Sequence, residues 1–371
     1  MSRLEKLIDE LCPDGVEYKT LSDILKIKNG KDYKQFKEGN IPVYGSGGIM
    51  AYIDTFVFNK PSVLIPRKGS IDKLYYVEEP FWTVDTIFYT EIYTDIVIPK
   101  FVFYYLQKEH LEQYNTAGGV PSLTQGVLNK ISFPIPPLPV QEEIVRILDT
   151  FAELTAELTA ELTMRKQQYE YFETTLLFDS KYPRVLLKDV CTVNQGLQIP
   201  INQRKTENGE NRYFYITVQF LKGDNEDKYY IENPNESVIC NLDDILVTRT
   251  GSTGKIITGV HGCFHNNFFK VNCFNTINKR YMYYFLNSQV MFRKLLHTAS
   301  GGTVPDLPHN KFYKLEIPLP SLEEQQRIVD ILDRFDTLVN DIKTGLPAEI
   351  EARKNNMNTI EISYLHSKNI K

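Results

Sequence analysis

The sequence contains one stretch twice, and this duplication constrains the fold more than any other feature. The first copy runs from Ile131 to Phe151 and the second from Leu315 to Phe335, and a constant shift in numbering superposes them without a gap. Each copy reads as a short apolar strand, a proline-rich corner and the start of a long helix, because proline is excluded from a helix interior but tolerated at its first turn. The chain is therefore built from two related halves.

The similarity extends upstream of these copies, in the same order in both halves. Asn29-Gly30 follows an LSDI segment closely, and Gln195-Gly196 follows an LKDV segment. Three longer pairs are LIPRKGS (64–70) and LVTRTGS (246–252), FVFYYL (101–106) and YMYYFL (281–286), and AGGVPSL (117–123) and SGGTVPDL (300–307). This order predicts a globular domain, a long helix, a second globular domain and a second long helix.

Both long helices carry the pattern of a coiled coil. In the first, the seam positions from Ile144 to Leu176 alternate at spacings of four and three residues, which is typical of a coiled-coil seam. The same helix contains AELT three times in succession from Ala152. In the second, Gly345-Leu346-Pro347 interrupts the pattern and indicates a kink or a loop. The segment after this break resembles residues 160–168, so we expect the N- and C-terminal helices to lie near one another.

These patterns predict an α+β chain with two mixed globular domains. The expected segments are an N-terminal helix (1–15), a first domain (16–138), a central long helix (139–180), a second domain (181–320) and a C-terminal long helix (321–371).

The composition indicates a cytoplasmic protein. No apolar run approaches the roughly 18 residues of a membrane span, and the N-terminus lacks the apolar core of a signal peptide. Five scattered cysteines without a CxxC motif are expected to be reduced. The formal net charge is −5, but the long helices are themselves acidic, so the remainder of the chain carries a small positive excess that permits contact with a phosphate backbone.

Two stretches resemble catalytic or metal sites only in part. Thr250 to Lys255 looks like the end of a phosphate-binding loop, yet Arg249 replaces a glycine and Ile256 stands where a hydroxyl should bind magnesium. His261, Cys263 and His265 could share one face of a strand, but no fourth metal ligand is evident, and a strand with one buried thiol explains them better. We therefore expect a chain without catalytic activity, metal or cofactor.

Basic and polar side chains recur instead where a buried strand gives way to a glycine turn. Arginine can bind a guanine edge bidentately, and hydroxyl groups suit phosphate, although a solvated strand end would also carry such residues. The candidate DNA-binding residues in the first domain are Lys31, Tyr33, Lys34, Tyr44, Ser46, Arg67, Lys68, Ser70 and Lys73. Those in the second domain are Gln203, Arg204, Lys205, Arg249, Thr250, Ser252 and Lys255.

These motifs together resemble the DNA-specificity subunit of type I restriction–modification systems. The resemblance covers nearly the whole chain. Its motifs are PPLPVQEEIVRILDTF, PLPSLEEQQRIVDILDRF, AELTAELTAELTMRKQQYEYF, LPAEIEARKNNM, IPVYGSGG and IPRKGS. Residues 202–235 are too irregular to assign.

The resemblance implies a pseudo-two-fold chain. Its two target-recognition domains are joined by two long antiparallel helices that form a coiled coil, and each domain reads one half of a bipartite site in double-stranded DNA. It also implies two modification subunits that use S-adenosylmethionine, and restriction subunits that use ATP and Mg²⁺. We expect Glu153, Glu157 and Glu161 on the central helix to contact the modification subunits.

Two other classes of protein compete with this interpretation. A coiled-coil scaffold with two protein-binding heads would show no salt-dependent DNA binding. A stand-alone methyltransferase or nuclease would need cofactor motifs that the sequence lacks.

Overall fold

A computed structural model describes residues 2–115, 118–219, 228–299, 305–341 and 344–355. The chain divides into two compact units, Met1–Ala160 with Glu349–Lys371, and Glu161–Ala348. Within the described ranges, no helix is both long enough and apolar enough to cross a membrane.

The first unit contains a mixed domain followed by the start of a long helix. Its helices are α1 (Arg3–Leu11), α2 (Leu21–Ile24), α3 (Pro99–Lys108), α4 (Gln125–Leu128) and the first part of α5 (Leu138–Leu177). Its strands are β1 (Glu17–Thr20), β2 (Leu25–Asn29), β3 (Glu38–Gly45), β4 (Gly48–Ile53), β5 (Ser62–Pro66), β6 (Tyr75–Val77), β7 (Trp82–Thr83), β8 (Ile87–Ile92) and β9 (Ser132–Ile135).

These strands form three small sheets, with the orders β1-β9, β2-β8-β5-β6 and β4-β3-β7. Only β3 and β7 pair in parallel among these described strands. The main core joins α1, α3 and the sheet around β8 to the first turns of α5, which contribute Val140, Ile144 and Leu148. The seam residues predicted at the start of the long helix therefore pack against the domain itself.

The second unit repeats this arrangement. Its strands are β10 (Arg184–Leu186), β11 (Cys191–Gln195), β12 (Arg212–Ile216), β13 (Tyr230–Glu232), β14 (Ile239–Cys240), β15 (Ile245–Thr248), β16 (Ile256–Ile257), β17 (Gly262–Phe264), β18 (Phe268–Cys273) and β19 (Glu316–Pro318). Its helices are the second part of α5, then α6 (Lys279–Asn287), α7 (Gln289–Thr298), α8 (His309–Phe312) and α9 (Leu322–Asn340). The sheet orders are β10-β19, β11-β18-β15-β16 and β13-β12-β17-β14.

Two sheets of each unit correspond strand by strand, and the third corresponds except for the added strand β14. β1-β9 matches β10-β19, β2-β8-β5-β6 matches β11-β18-β15-β16, and the parallel pair β3·β7 matches the parallel pair β12·β17. The sequence pattern could not assign residues 202–235, and the described part of this segment contains β12 and β13. The predicted α+β fold with an internal repeat is confirmed.

In the second unit, the end of α5 runs antiparallel to α9. The rings of Phe172 and Phe335 stack at 5.4 Å, and just beyond the end of α5 the Tyr182 hydroxyl donates to Glu324 Oε1 at 2.6 Å. Position therefore rises along one helix as it falls along the other, as expected for an antiparallel pair. α9 ends at Asn340, and a further helix covers residues 346–355. Of the predicted interruption, Gly345 lies between these helices, whereas Leu346 and Pro347 begin the second one. The part of the predicted C-terminal helix beyond residue 355 lies outside the described residues.

A fully buried glutamine ties each domain to its long helix. Gln141 Oε1 accepts from the N–H of Ile98 at 2.9 Å, and its Nε2 donates to the carbonyls of Pro136 at 2.7 Å and Ile96 at 3.1 Å. Gln325 occupies the equivalent position of the repeat and is also 0% exposed. Its partners are the N–H of Asn278 (2.7 Å) and the carbonyls of Pro320 (2.9 Å) and Thr276 (3.4 Å).

About two turns further along each long helix, an aspartate makes a second contact between the helix and its domain. Asp149 accepts from Lys100 Nζ at 2.8 Å and from the Tyr104 hydroxyl at 2.6 Å. At the matching position of the second unit, Asp333 accepts from Arg280 Nε at 2.9 Å. Each domain helix, α3 or α6, is therefore held to the long helix at two successive points.

We expect Gln141→Ala to destabilise the first unit. The change leaves up to three enclosed backbone groups without partners, and such groups cost about 1–3 kcal/mol each, so a loss on the order of 2–4 kcal/mol is anticipated. Urea unfolding followed by tryptophan fluorescence measures it, since Trp82 lies in this unit. Gln107→Ala, at an exposed position of α3 in the same unit, is the control, and equal stability of the two variants would contradict the assigned role.

Glu173 makes the stability of the second unit depend on pH. Its side chain is buried on α5, and burial raises its pKa from 4.5 to about 7 despite hydrogen bonds from Tyr169 and the Gln289 backbone. Between these two pKa values the folded state binds more protons than the unfolded state, so stability falls as pH rises through this window. Above about pH 7 the full cost of the buried charge is present.

We therefore expect Glu173→Gln to remove this dependence. The variant should match the parent near pH 4.5 and should unfold at a higher temperature at pH 8, because the amide carries no charge to desolvate. Differential scanning calorimetry at both pH values measures the difference. Glu210→Gln, at an exposed position of the same unit, should leave the pH dependence unchanged. A pH dependence that persists in Glu173→Gln would refute the assignment.

Candidate nucleic-acid interface

Arg67 directly follows the buried strand β5, and both its backbone N–H and its backbone carbonyl are hydrogen-bonded. Its N–H donates to the Thr86 carbonyl at 2.8 Å, and its carbonyl accepts from the Leu123 N–H at 2.9 Å. The following turn is tied to the loop before Leu123, because the Gly69 N–H donates to the Pro121 carbonyl at 3.1 Å. The arginine therefore sits where a strand, a turn and a loop converge.

Arg249 occupies the same framework at the end of β15. Its N–H donates to the Asn267 carbonyl at 2.6 Å, and its carbonyl accepts from the Leu307 N–H at 3.1 Å. The two arginines recognised from the repeat are thus structurally equivalent as well as equivalent in sequence.

Repeated glycines fix the geometry around both arginines. Gly69 and Gly251 have φ angles of +81° and +85°, in the left-handed region that favours glycine. At Gly30 and Gly196 a Cβ atom would lie 2.0 Å and 2.2 Å from a backbone carbonyl oxygen of the neighbouring segment. No side chain fits such a gap, so these positions keep the loop after β2 or β11 pressed against the sheet.

The Arg67 side chain is half-buried and carries no ion pair within the described ranges. Its guanidinium lies 5.8 Å from the Phe88 ring centroid. Lys68 and Lys73 are exposed on the same turn, and Ser70 is half-buried between them. This turn therefore presents three positive groups to solvent.

The β3–β4 hairpin reaches the same turn in the first unit. Ser46 Oγ lies 3.7 Å from the position that a Cβ atom of Gly69 would take, and the Ser46 carbonyl accepts from the Tyr75 hydroxyl at 3.2 Å. Tyr44 packs its ring against Tyr75 at 5.8 Å and Phe81 at 6.5 Å. Ser46 is thus brought to the arginine turn, whereas Tyr44 belongs to an aromatic cluster.

The loop after Gly30 is anchored through its backbone. The Lys31 carbonyl accepts from Trp82 Nε1 at 2.8 Å. Tyr33 packs in the cluster around Trp82, while Lys31 and Lys34 are exposed. Two ammonium groups therefore extend from a loop that is itself fixed to β7.

In the second unit, Arg249 is bound to a carboxylate. Its Nε and Nη2 donate to Asp306 Oδ1 at 2.6 Å and Oδ2 at 2.8 Å, and its Nη1 lies 3.4 Å from Gln195 Oε1. These hydrogen bonds lower the pKa of Asp306, which stays ionised at neutral pH. Burial, together with the Arg249 charge, lowers the pKa of nearby His309, so the imidazole is neutral there.

The turn after Arg249 closes on a threonine side chain. Thr248 Oγ1 donates to the Ser252 carbonyl at 2.6 Å and accepts from the Lys255 N–H at 2.8 Å. Thr250 and Ser252 are half-buried, and the Lys255 side chain is exposed. The hydroxyl of Thr248 thus fills the space inside a turn that resembled the end of a phosphate-binding loop.

The loop at residues 203–205 divides its residues between core and surface. Arg204 donates from Nε to the Ile199 carbonyl at 2.9 Å, and its guanidinium lies 4.9 Å and 5.3 Å from the ring centroids of Tyr215 and Tyr229. Gln203 and Lys205 are exposed. The structure thus gives Arg204 an internal packing role and leaves its two neighbours at the surface.

The histidines and cysteine of the 261–265 segment do not form a metal site. His261 Nδ1 is hydrogen-bonded to the Cys240 carbonyl at 2.9 Å, and His265 Nδ1 accepts from the Asn267 N–H at 3.1 Å. Burial raises the pKa of Cys263 to about 12. In the part of the chain that the structure describes, no group of three or more potential ligands could hold a metal ion.

Residues 13–164 and 180–352 each match the family model of the type I restriction modification DNA specificity domain. The chain belongs to this family. It is 32% identical over 373 residues to a putative type I restriction enzyme specificity subunit of Haemophilus influenzae, with 94% of each chain covered. It is 32% identical over 277 residues to the EcoR124I/EcoR124II specificity subunit of Escherichia coli, covering 69% of this chain and 67% of that protein.

The fold is similar to that of a solved specificity subunit. The crystal structure of the type I restriction–modification S subunit from M. genitalium matches with a TM-score of 0.62 and 15% sequence identity. The match covers 94% of this chain and 96% of that one. The internal duplication noted in the sequence thus corresponds to two specificity domains within one chain.

The sequence pattern missed two residues that contact Arg249. Asp306 and Gln195 hold Arg249, although neither stood out as a functional residue. The repeat contained the signal, because Asp306 aligns with Ser122 and Gln195 aligns with Asn29. Comparing the two halves position by position would have identified the pair as a difference between the domains.

The acidic positions of the central helix differ in exposure. Glu153 and Glu157 are exposed, whereas Glu161 is half-buried and pairs with Arg165 at 3.4 Å. The first two are therefore available at the helix surface, and the third is partly engaged within it.

Proposed function

We propose that each unit of this specificity subunit contacts one half of a bipartite site in double-stranded DNA. The observation that carries the proposal is the arginine-bearing turn, which recurs with the same backbone hydrogen bonds in both units. Arginine binds guanine edges or phosphates, and hydroxyl groups of the same turn suit phosphate. Two equivalent turns with unlike side chains suit a site whose halves differ in sequence.

The exposed basic residues support contact with the phosphate backbone. In the first unit these are Lys31, Lys34, Lys68 and Lys73, none of which is ion-paired within the described ranges. Lysines that neutralise phosphates release counterions, so binding should weaken steeply with salt. A scaffold with two protein-binding heads would lack this dependence.

The chemistry belongs to partner subunits in this proposal. The chain itself supplies recognition, two modification subunits supply S-adenosylmethionine-dependent methylation of adenine, and restriction subunits supply ATP- and Mg²⁺-dependent steps. Exposed Glu153 and Glu157 on α5 are the proposed contacts to the modification subunits. Glu161 contributes less directly, because Arg165 already pairs with it.

We expect Arg67→Ala and Arg249→Ala to affect different halves of the site. Loss of a base-reading arginine costs about 1–3 kcal/mol and relaxes specificity at that base. The measurement combines methylome sequencing of cells that express each variant with its modification subunits and fluorescence anisotropy of the purified complexes. Arg184→Ala, at an exposed position of β10, should leave both half-sites unchanged. Relaxation of both halves by one substitution would contradict separate reading.

We further propose that the length of α5 sets the spacing between the two half-sites. α5 is one continuous helix of 40 residues that passes through both units. Four residues add roughly 6 Å of rise and about 40° beyond a full turn. One base pair adds about 3.4 Å and turns about 34–36°. In rotation, one AELT unit therefore matches one base pair better than it matches two base pairs.

Deletion of Ala156 to Thr159 should therefore shorten the unspecified spacer by one base pair and leave both half-sites unchanged. The methylated motif in cells carrying the deletion reports the spacer directly. Leu158→Ala keeps the helix length and should keep the parental spacer. Retained methylation with an unchanged spacer would show that the repeat does not act as a ruler.

A further inference from the structure

Asp306 holds the guanidinium of Arg249 along its Nε and Nη2 side, and Gln195 lies against Nη1. Asp306 accepts from Nε and Nη2, at 2.6 Å and 2.8 Å, and Gln195 Oε1 lies 3.4 Å from Nη1. A guanidinium carries five N–H groups, so these neighbours engage three and leave one each on Nη1 and Nη2. Neither of these two N–H groups has a partner among the described residues, and the side chain is 35% exposed.

Two N–H groups on neighbouring nitrogens of one guanidinium match the O6 and N7 acceptors of guanine. We propose that Asp306 positions Arg249 to read a guanine in the half-site contacted by the second unit. The inference rests on the proposed function and names the base class that this turn selects. Asp306 is a positioning residue, since it acts through the arginine.

The support for Asp306 is itself fixed. Thr253 Oγ1 donates to the neighbouring Pro305 carbonyl at 2.7 Å, and the Leu307 N–H donates to the Arg249 carbonyl at 3.1 Å. The segment that carries the carboxylate is thus bound to the turn that carries the arginine. A planar guanidinium held by such a segment loses little further rotamer entropy when it binds a base.

The first unit lacks this arrangement. Ser122 replaces the carboxylate, and Asn29 stands at the position of Gln195. Asn29 Oδ1 accepts from Gln125 Nε2 at 3.3 Å, and Arg67 lies over Phe88 without an ion pair in the described part of the chain. The positioned guanine reader is therefore a property of the second unit.

A second interpretation of the Arg249–Asp306 ion pair predicts the opposite change in affinity for DNA. Asp306 could weaken DNA binding by neutralising Arg249, and its removal would then strengthen binding to every sequence. Positioning instead requires that its removal weaken binding to the cognate site. The sign of the change for cognate DNA separates the two effects.

The test compares Asp306→Asn with the parent in the complex of the full chain and its modification subunits. The cognate motif is first mapped by methylome sequencing. Anisotropy is then measured on this duplex and on duplexes with each specified base pair of the second half-site replaced. We expect Asp306→Asn to lower cognate affinity about 10-fold, within the range of one bidentate base contact, and to leave non-cognate affinity unchanged or higher. The loss should be confined to one G·C position.

A matched control separates position from charge. Asp243→Asn makes the same change in net charge at the opposite end of β15, where the carboxylate is 76% exposed and pairs with Lys279 at 2.8 Å. It should leave the ratio of cognate to non-cognate affinity unchanged. Arg249→Lys keeps the positive charge without the fork, should lower the same ratio, and should make Asp306→Asn ineffective in the double variant.

Two results would overturn the inference: cognate affinity unchanged or increased in Asp306→Asn, or a second half-site without any specified G·C pair. If Asp306→Asn alters the thermal midpoint, Arg249→Lys still decides, since equal specificity to the parent would exclude the arginine fork. Failure of the parental complex to bind its mapped site would instead refute the proposed function.

Discussion

The buried glutamine at the proline corner is the interaction on which each unit depends. The proline corner before α5 or α9 carries a backbone carbonyl that accepts no hydrogen bond from the backbone of the helix itself. The segment before α3 or α6 adds a second carbonyl and an N–H that also need partners. One amide carries both the donors and the acceptor required, and Gln141 and Gln325 use them in the same way. Because the amide is enclosed, tilting the helix away would leave several backbone groups unpaired at once. The domain is therefore fixed to its helix rather than hinged on it.

This attachment allows the domains to diverge where they meet solvent. The strands behind the arginine turns pair in the same order in both units, and the close approach at Gly30 and Gly196 is the same within 0.2 Å. The differences lie in side chains, such as Ser122 against Asp306. A framework held by backbone hydrogen bonds and glycines tolerates such exchanges, because neither Ser122 nor Asp306 contributes to the core. One architecture can thus support two unlike recognition surfaces.

The sequence predicted what depends on local chemistry and on the repeat. The glycine turns, the equivalence of Arg67 with Arg249 and the long helices followed from aligned motifs and period. The ion pair of Arg249 did not, because its partner is 57 positions away and is brought to it by the hydrogen bond from the Leu307 N–H to the Arg249 carbonyl. The placement of Arg204 between two tyrosine rings likewise depends on the β12–β13 sheet. Patterns that read one segment at a time cannot identify partners that the tertiary fold creates.

The distribution of free and paired cations suggests how an acidic chain could engage DNA. If each unit contacts one half-site, the candidate lysines of the first unit lie exposed beside an arginine that has no carboxylate partner among the described residues. Of the candidates in the second unit, Arg249 pairs with Asp306 and Lys205 with Glu232 at 3.7 Å. Unpaired lysines attract phosphate over roughly a Debye length and carry no sequence information. A paired, oriented arginine adds little long-range attraction but constrains which base edge fits. Long-range attraction then comes chiefly from the exposed lysines while each unit still reads its own half-site, so a net charge of −5 need not oppose binding.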